Sequence, residues 1–450
     1  NNGENRTMRM KTLLLSACLS LAFAPGAMAP GVLGSGVFQA SAANSAERAI
    51  GFASRAPAGA ALALTYFVVW LSVDRDARSE FRWLADSGAA TRTRPGIKGR
   101  GSTGYLPGRF SVTTADAVDD GWHDADTEGD PSSSPQTELH EEVARSVITR
   151  NQSPDIPFDQ SLNPYRGCEH GCSYCFARPS HAYLDLSPGL DFETKIFAKT
   201  NAPEILRREL AKRGYEPRPI SLGINTDAYQ PAERKLQLTR RIIEVLAETK
   251  HPFSLITKNA LVERDLDLLE PLARRKLVSV ALSVTTLDNR LSARLEPRAS
   301  APHRRLQAIR RLSEAGIPTG VMFAPVIPAV NDAEMEAVLA AAREAGAVTA
   351  GMVLLRLPHE VAPIFRGWLD AHLPERAGHV MSLVNQARGG RDYDARFGQR
   401  QSGTGEWARL VGQRFDLAAR RLGYATRRET RLDCSQFIAP RAPGPQGELF

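Results

Sequence analysis

Cysteine is scarce, with five in 450 residues, which excludes the disulfide-stapled scaffold of a small secreted domain. Long apolar runs are lacking too: the run at 60–73 is short for a bilayer span and is interrupted by Thr65, Tyr66 and Ser72. With 42% apolar and 24% charged residues, the composition is neither that of a membrane bundle nor that of a wholly disordered chain. Charge of one sign is not dominant either. The 57 basic and 50 acidic residues leave +7, and the pI near 9.3 permits contact with polyanions without requiring it. Most basic residues come as pairs, such as Arg207-Arg208 and Arg310-Arg311, in helix-like segments where they read as solvated faces.

The chain opens on Asn1. From Met8 to Ala29 a basic start, an apolar run and Ala27-Met28-Ala29 have the layout of a secretory signal with its cleavage site. Export conflicts with the cysteine cluster described next, which belongs to a reducing compartment. Residues 1–90 are therefore expected to be a largely disordered, signal-like or unrelated N-terminal extension, and the body to be cytoplasmic, with no membrane role for the core. Residues 91–150 read as a flexible linker, Gly/Arg-rich and then acidic and Ser/Pro-rich.

Beyond them, short β-branched runs alternate with longer helical patterns, the sequence form of a parallel α/β sheet with crossover helices. Strands are expected near 161–165 and at 219–224, 253–257, 277–284, 319–326 and 351–355. Helices are expected at 202–213, 235–249, 264–275, 302–315 and 332–345. Six units suit a partial, TIM-like (β/α)6 barrel over 151–360. Helices at 364–372, 376–386 and 406–422 form a C-terminal cap over 361–437, followed by a flexible tail, 438–450. Each strand ends in polar residues, and in parallel architectures these ends converge on one face.

Three of the five cysteines, Cys168, Cys172 and Cys175, fall within eight positions. A closed zinc site needs four ligands, commonly as two pairs, and no second pair is present. Three thiolates on an iron–sulfur cube leave one iron without a protein ligand, where a small molecule can bind. A zinc-stabilised nucleic-acid-binding protein without catalysis is the alternative reading.

The run Cys168-Glu169-His170-Gly171-Cys172-Ser173-Tyr174-Cys175 resembles the CxxxCxxC signature of the radical S-adenosylmethionine (SAM) superfamily, with Tyr174 in the aromatic place before the third cysteine. More closely, Asn163-Pro164-Tyr165-Arg166-Gly167-Cys168, Cys175-Phe176-Ala177-Arg178-Pro179 and Leu295-Glu296-Pro297-Arg298-Ala299 resemble the DNA repair photolyase-like bacterial group related to spore photoproduct lyase. The likeness runs from about Arg94 to Leu422. It implies a 4Fe-4S cluster on the three cysteines and SAM bound at the open iron. It further implies reductive cleavage to a 5′-deoxyadenosyl radical, hydrogen abstraction from an unidentified substrate with nucleic acid as leading class, and a low-potential donor of flavodoxin or ferredoxin type.

Softer assignments follow from the strand ends. Asn225, Thr226 and Asp227 stand where the superfamily carries a Gly-rich segment near the SAM amino group, and they can bond that ammonium or close an Asx turn. Lys258 can pair with the SAM carboxylate or remain a surface lysine. Ser283 and Thr285 can meet the ribose or merely end a strand. Glu296 and Arg298 can touch a ligand or pair with one another instead. The related lyase carries a hydrogen-donating cysteine near the second strand end, where this chain has Asn225-Thr226-Asp227. Cys434 can replace it only if the tail folds into the mouth; Tyr229 and Tyr393 are other relays or simply packed rings.

Overall fold

Ten short strands organise the chain in the computed structural model, which describes residues 97–111, 135–425 and 431–440. They are β1 (Glu138–Glu141), β2 (Thr149–Arg150), β3 (Gln160–Leu162), β4 (Tyr165–Arg166), β5 (Lys195–Ala198), β6 (Ile220–Leu222), β7 (Phe253–Thr257), β8 (Val278–Ser283), β9 (Thr319–Val326) and β10 (Thr349–Leu354). The signal-like segment, the run at 60–73 and most of the acidic stretch lie outside the described residues.

Seven strands make the main sheet in the order β2-β3-β6-β7-β8-β9-β10, with β2 and β10 left as edges. From β3 to β10 every pairing is parallel and follows chain order. This is the expected α/β six-strand partial barrel. Alternation sets its faces. Phe253, Leu255, Val278, Val280, Leu282, Val321 and Phe323 are buried in one core with Ile242, Val245, Leu269, Ile309, Leu312, Val338 and Leu339 of the crossover helices. On the other face the register lines up Ser161, Ser221, Ser254 and Ser279 in one row across four strands.

Helices follow the expected pattern with local breaks. The one expected at 235–249 is split at Gln237, whose φ is 51°. The one expected at 264–275 starts at Leu266 after a 3-10 turn, because the Asn259 side chain caps Leu261 N at 3.0 Å.

An expectation about the flanks needs correction. The Gly/Arg stretch is no loose linker where it is described: Arg100 and Ser102 are buried, and β1 joins β5 and β4 in a second, three-stranded sheet. The C-terminal helices pack in two places. Val361–His372 and Pro374–Gln386 share an apolar cluster with Cys172 and Tyr174, whereas Gly405–Arg421 joins Met335–Glu344 through the Arg414–Glu336 pair at 2.7 Å.

The described start of the tail docks elsewhere. Asp433 N donates to Lys276 O and Ile438 N to Thr249 O, both at 2.9 Å, and the Phe437 ring lies 5.5 Å from Tyr215 and 5.3 Å from His251. Thr249 and Lys276 precede β7 and β8, so this is the end of the barrel where strands begin. Ile438 is accordingly held, and Cys434 sits at the opposite end from the mouth. Phe437→Ala is expected to cost about 1–3 kcal/mol, read as a lower urea midpoint at unchanged slope; no shift would mean that the segment does not dock.

Candidate functional site

Leaving β4, the chain enters the cysteine loop through Gly167 and is fixed there from every side. Cys168 N donates to Phe192 O at 2.9 Å. Gln230 straddles the same residue, accepting from Glu169 N at 2.9 Å and donating to Gly167 O at 3.3 Å. Ser173 N donates to Leu295 O at 3.1 Å. The largest contribution is Arg178, whose side chain is wholly buried. Its Nε donates to Cys172 O (2.9 Å), Nη2 to Gly171 O (3.2 Å) and Glu193 Oε1 (2.5 Å), and Nη1 to Pro188 O (3.2 Å) and Gly189 O (2.8 Å). All five donors of a guanidinium are thus engaged.

Glu193, equally buried, neutralises that charge and also accepts from Gly101 N at 3.0 Å and Ser102 N at 2.8 Å. The Gly/Arg stretch is therefore part of the loop's support. Gly101 is required by its surroundings, since a Cβ there would lie 1.7 Å from Gly171 O. Gly171 is required by its φ of 64°, and its Cβ would fall 2.6 Å from Glu193 Oε2.

At the end of β6, Asp227 ties three elements together. Its carboxylate accepts from Thr257 Oγ1 (2.7 Å), Lys258 N (2.8 Å) and Tyr229 N (2.8 Å), and meets His170 Nδ1 at 3.3 Å. Burial works against this charge, but His170 and the hydrogen bonds outweigh it and hold the carboxyl far below its usual range. His170 Nε2 faces Asn259 Nδ2 at 3.3 Å, while Asn259 Oδ1 accepts from Leu261 N and Ser300 Oγ. The amide thus presents its nitrogen to Nε2, while Nδ1 faces the Asp227 carboxylate. Both its nitrogens are occupied, so this histidine buttresses the loop.

A second carboxylate, Glu296, is buried, accepts from Tyr174 Oη and Thr285 Oγ1 and pairs with Arg305. Arg305 also holds Ser283 O at 2.9 Å and Ser300 O at 2.6 Å. A Glu296–Arg298 pair does not form: Arg298 reaches Glu169 at 3.0 Å and Thr137 Oγ1 at 2.9 Å. Arg305 lies inside the barrel wall and offers the shorter path to Glu296.

The strand-end residues fall into two groups. Thr226 Oγ1 donates to Tyr165 O at 3.0 Å and Ser283 Oγ to Ala324 O at 3.1 Å. With Tyr174, Thr285 and Asp227, their polar hydrogens or lone pairs are engaged inside the protein. Asn225 and Lys258 are the exceptions. Asn225 is exposed, with its amide N held by Asn163 Oδ1 at 2.9 Å. Lys258 places Nζ 5.9 Å from the Tyr174 ring centre, and that ammonium has no hydrogen-bond or ion-pair partner among the described residues. Burial disfavours its charge, yet Cys172, Glu296 and Asp227 more than compensate and raise its pKa. Tyr229 is a packed ring whose hydroxyl donates to Asp265 at 2.8 Å.

Cys168, Cys172 and Cys175 are all free, the first two buried. Burial raises both thiols, Cys172 to about 12, and neighbouring cysteines add to the rise, Cys172 and Cys175 at Cys168 and Cys175 at Cys172. Such thiols stay protonated until a metal displaces the proton. Among the described residues no group of three or more His, Cys, Asp or Glu side chains is placed to hold a single metal ion. The ligands of one zinc ion must all converge within about 2.3 Å of a point, whereas thiolates on an iron–sulfur cube each take a different iron. The loop offers three thiols, its histidine is occupied, and Cys434 is at the far end of the barrel, so the donor set fits a cube with one iron left open.

Arg178, Glu193, Gln230, Asn163 and Asn259 were not singled out by the sequence as site residues. Arg178 and Asn163 carried a signal, by standing in the resembling Cys175–Pro179 and Asn163–Cys168 runs. Arg178→Met, which strands the buried Glu193 charge, is expected to cost about 3–5 kcal/mol. Arg178→Lys, with three donors on a flexible stem, should recover only part of it in urea unfolding. Full recovery would show that charge and not the five-donor fork holds the loop.

Comparison with known proteins places this geometry. Residues 162–342 match the family model of the Radical SAM superfamily. Uncharacterized proteins of Mycobacterium tuberculosis H37Rv and Mycobacterium bovis are each 38% identical over 253 residues, spanning 55% of this chain and 74% of theirs. One of Methanocaldococcus jannaschii is 28% identical over 173 residues, 38% of this chain and 62% of that one. Among solved structures, the chain is similar to spore photoproduct lyase complexed with dinucleoside spore photoproduct, with 15% identity, a TM-score of 0.46 and coverage of 64% of this chain and 80% of that one. It is also similar to the radical SAM methyltransferase TsrM of Kitasatospora setae, with 15% identity, a TM-score of 0.33 and coverage of 48% and 39%. The family model and the mycobacterial relatives together establish that this chain belongs to the radical SAM superfamily, enzymes whose cofactors are a 4Fe-4S cluster and S-adenosylmethionine.

Proposed function

We propose that Cys168, Cys172 and Cys175 hold the 4Fe-4S cluster and that the mouth above them binds SAM for hydrogen abstraction from a substrate, with nucleic acid as the leading class. The observation that carries this reading is the three-thiol loop whose one histidine is occupied on both nitrogens. When bound and reduced, the two cofactors supply a carbon-centred radical able to take a hydrogen atom from an unactivated C–H bond.

The residues divide the remaining work. Lys258, an ammonium without a partner, takes the SAM carboxylate, and the exposed Asn225 side chain meets its ammonium. Tyr174 packs beside the cofactor, while Thr226, Asp227, Ser283 and Thr285 keep the strand ends in place, Asp227 by fixing His170 and Lys258 N. The apolar cluster of Phe365, Trp368 and Val384 against Cys172 and Tyr174 excludes water from that side. A low-potential donor of flavodoxin or ferredoxin type supplies electrons, and the protein works in the cytoplasm, where thiols and cluster stay reduced. No described helix is long and apolar enough to cross a membrane.

No thiol stands at Asn225-Thr226-Asp227, and Cys434 is docked at the other end of the barrel. Hydrogen return to a product radical from a cysteine near the second strand end is therefore not part of this reading.

The test is oxygen-free reconstitution of the full chain with iron and sulfide, followed by dithionite and SAM. A brown protein forming 5′-deoxyadenosine is expected, with colour and product both lost in the triple Cys→Ala variant. Lys258→Met should keep the colour and weaken SAM binding at least about tenfold. A loaded cluster that forms no 5′-deoxyadenosine would refute the reading, and a colourless protein with stoichiometric zinc would favour the non-catalytic alternative.

A further inference from the structure

Beside the cysteine loop lies a recess that none of the roles above uses. Residues 142–146, following β1, enclose about 350 Å³ together with Arg166 of β4 and Lys199 just beyond β5. Three cations, Arg145, Arg166 and Lys199, face one carboxylate, Glu142, which Arg166 engages at 2.9 Å. Three minus one leaves a local charge of +2.

Lys199 donates to Asn163 O at 3.0 Å, and a neutral carbonyl cannot balance an ammonium. Among the described residues no carboxylate lies within ion-pair distance of Lys199 or of the exposed Arg145. Burial pushes the Lys199 pKa down, with Glu142 pulling the other way, so an anion arriving there gains more than at a solvated lysine. The recess is also next to the mouth. Asn163, which receives Lys199 on its carbonyl, holds Asn225 N and Thr226 N on its side chain, and Arg166 is two residues from Cys168.

We propose that this recess is a phosphate-binding subsite of the mouth, taking a phosphate group carried by the substrate. It deepens the reading above, on which it rests for the presence of a reacting centre next door. Two guanidiniums and an ammonium suit a phosphate, which accepts bonds on several oxygens, and the volume exceeds what one carboxylate fills. A phosphorylated small molecule and a polynucleotide both carry this group.

The probes are a fluorescein-labelled single-stranded oligodeoxynucleotide, with inorganic phosphate and adenosine 5′-monophosphate as competitors, on the full-length protein without reductant or SAM. Wild type is expected to bind the oligonucleotide or a competitor. Arg145→Glu and Lys199→Gln should each weaken that binding about tenfold and lower the salt slope by about one. Arg421→Glu, an exposed change on the C-terminal helix, should do neither, and melting of Arg145→Glu should match wild type. Displacement of the oligonucleotide by adenosine 5′-monophosphate would assign the site to a small phosphorylated substrate; binding of the oligonucleotide alone would assign it to a polymer. No binding by wild type, or an Arg145→Glu indistinguishable from Arg421→Glu, overturns the proposal. Formation of 5′-deoxyadenosine by the same variants, expected unchanged, reports separately on the radical chemistry.

Discussion

The buried pair of Arg178 and Glu193 is the constraint from which the site's geometry follows. A turn carrying three cysteines has little regular structure of its own, and its carbonyls at Gly171 and Cys172 point inward, away from solvent. Arg178 satisfies both of them, and Glu193 satisfies Arg178. Desolvating two charges is costly, and such a pair stabilises only if the geometry is good and the remaining donors are bonded. Here all five are. The same carboxylate binds the amides of Gly101 and Ser102, so a segment far away in sequence is drawn in to close the loop from outside.

On the barrel side the supports are carboxylates at strand ends. Glu296 is buried and Asp227 partly so; each is bonded to several donors, and each bridges the cysteine loop to the sheet, Asp227 through His170 and Glu296 through Tyr174. They leave Lys258 between them without a direct partner. A cation sheltered beside two engaged carboxylates and a thiol keeps its charge there and has donors left over. The division of labour is physical: groups with satisfied bonds hold shape, and groups without them keep bonding capacity to spare.

The fold was legible because its signals are local and repeated. Six β-branched runs separated by amphipathic helices declare a parallel sheet, and the strands at 253–257 and 319–326 fall where the alternation puts them. The cysteine loop was legible from spacing. The supports were not, because they depend on tertiary contacts: nothing local distinguishes Glu193 in a short Asp-Phe-Glu-Thr run, and Gly101 reads as linker until the atoms opposite it are known. The Glu296–Arg298 pairing failed for the same reason, since sequence proximity says nothing about Arg305 reaching in from the next helix. The recess of Arg145, Arg166 and Lys199 likewise assembles from three separate segments.

The central claim is that the protein supplies three ligands and leaves one iron for a small molecule. Mössbauer spectroscopy of the iron-loaded, oxygen-free protein, recorded with and without SAM, tests it most directly. The account predicts that a single iron site changes its isomer shift when SAM is added while the other three stay as they were. Four sites that ignore SAM, or a cluster already fully ligated by side chains, would contradict it.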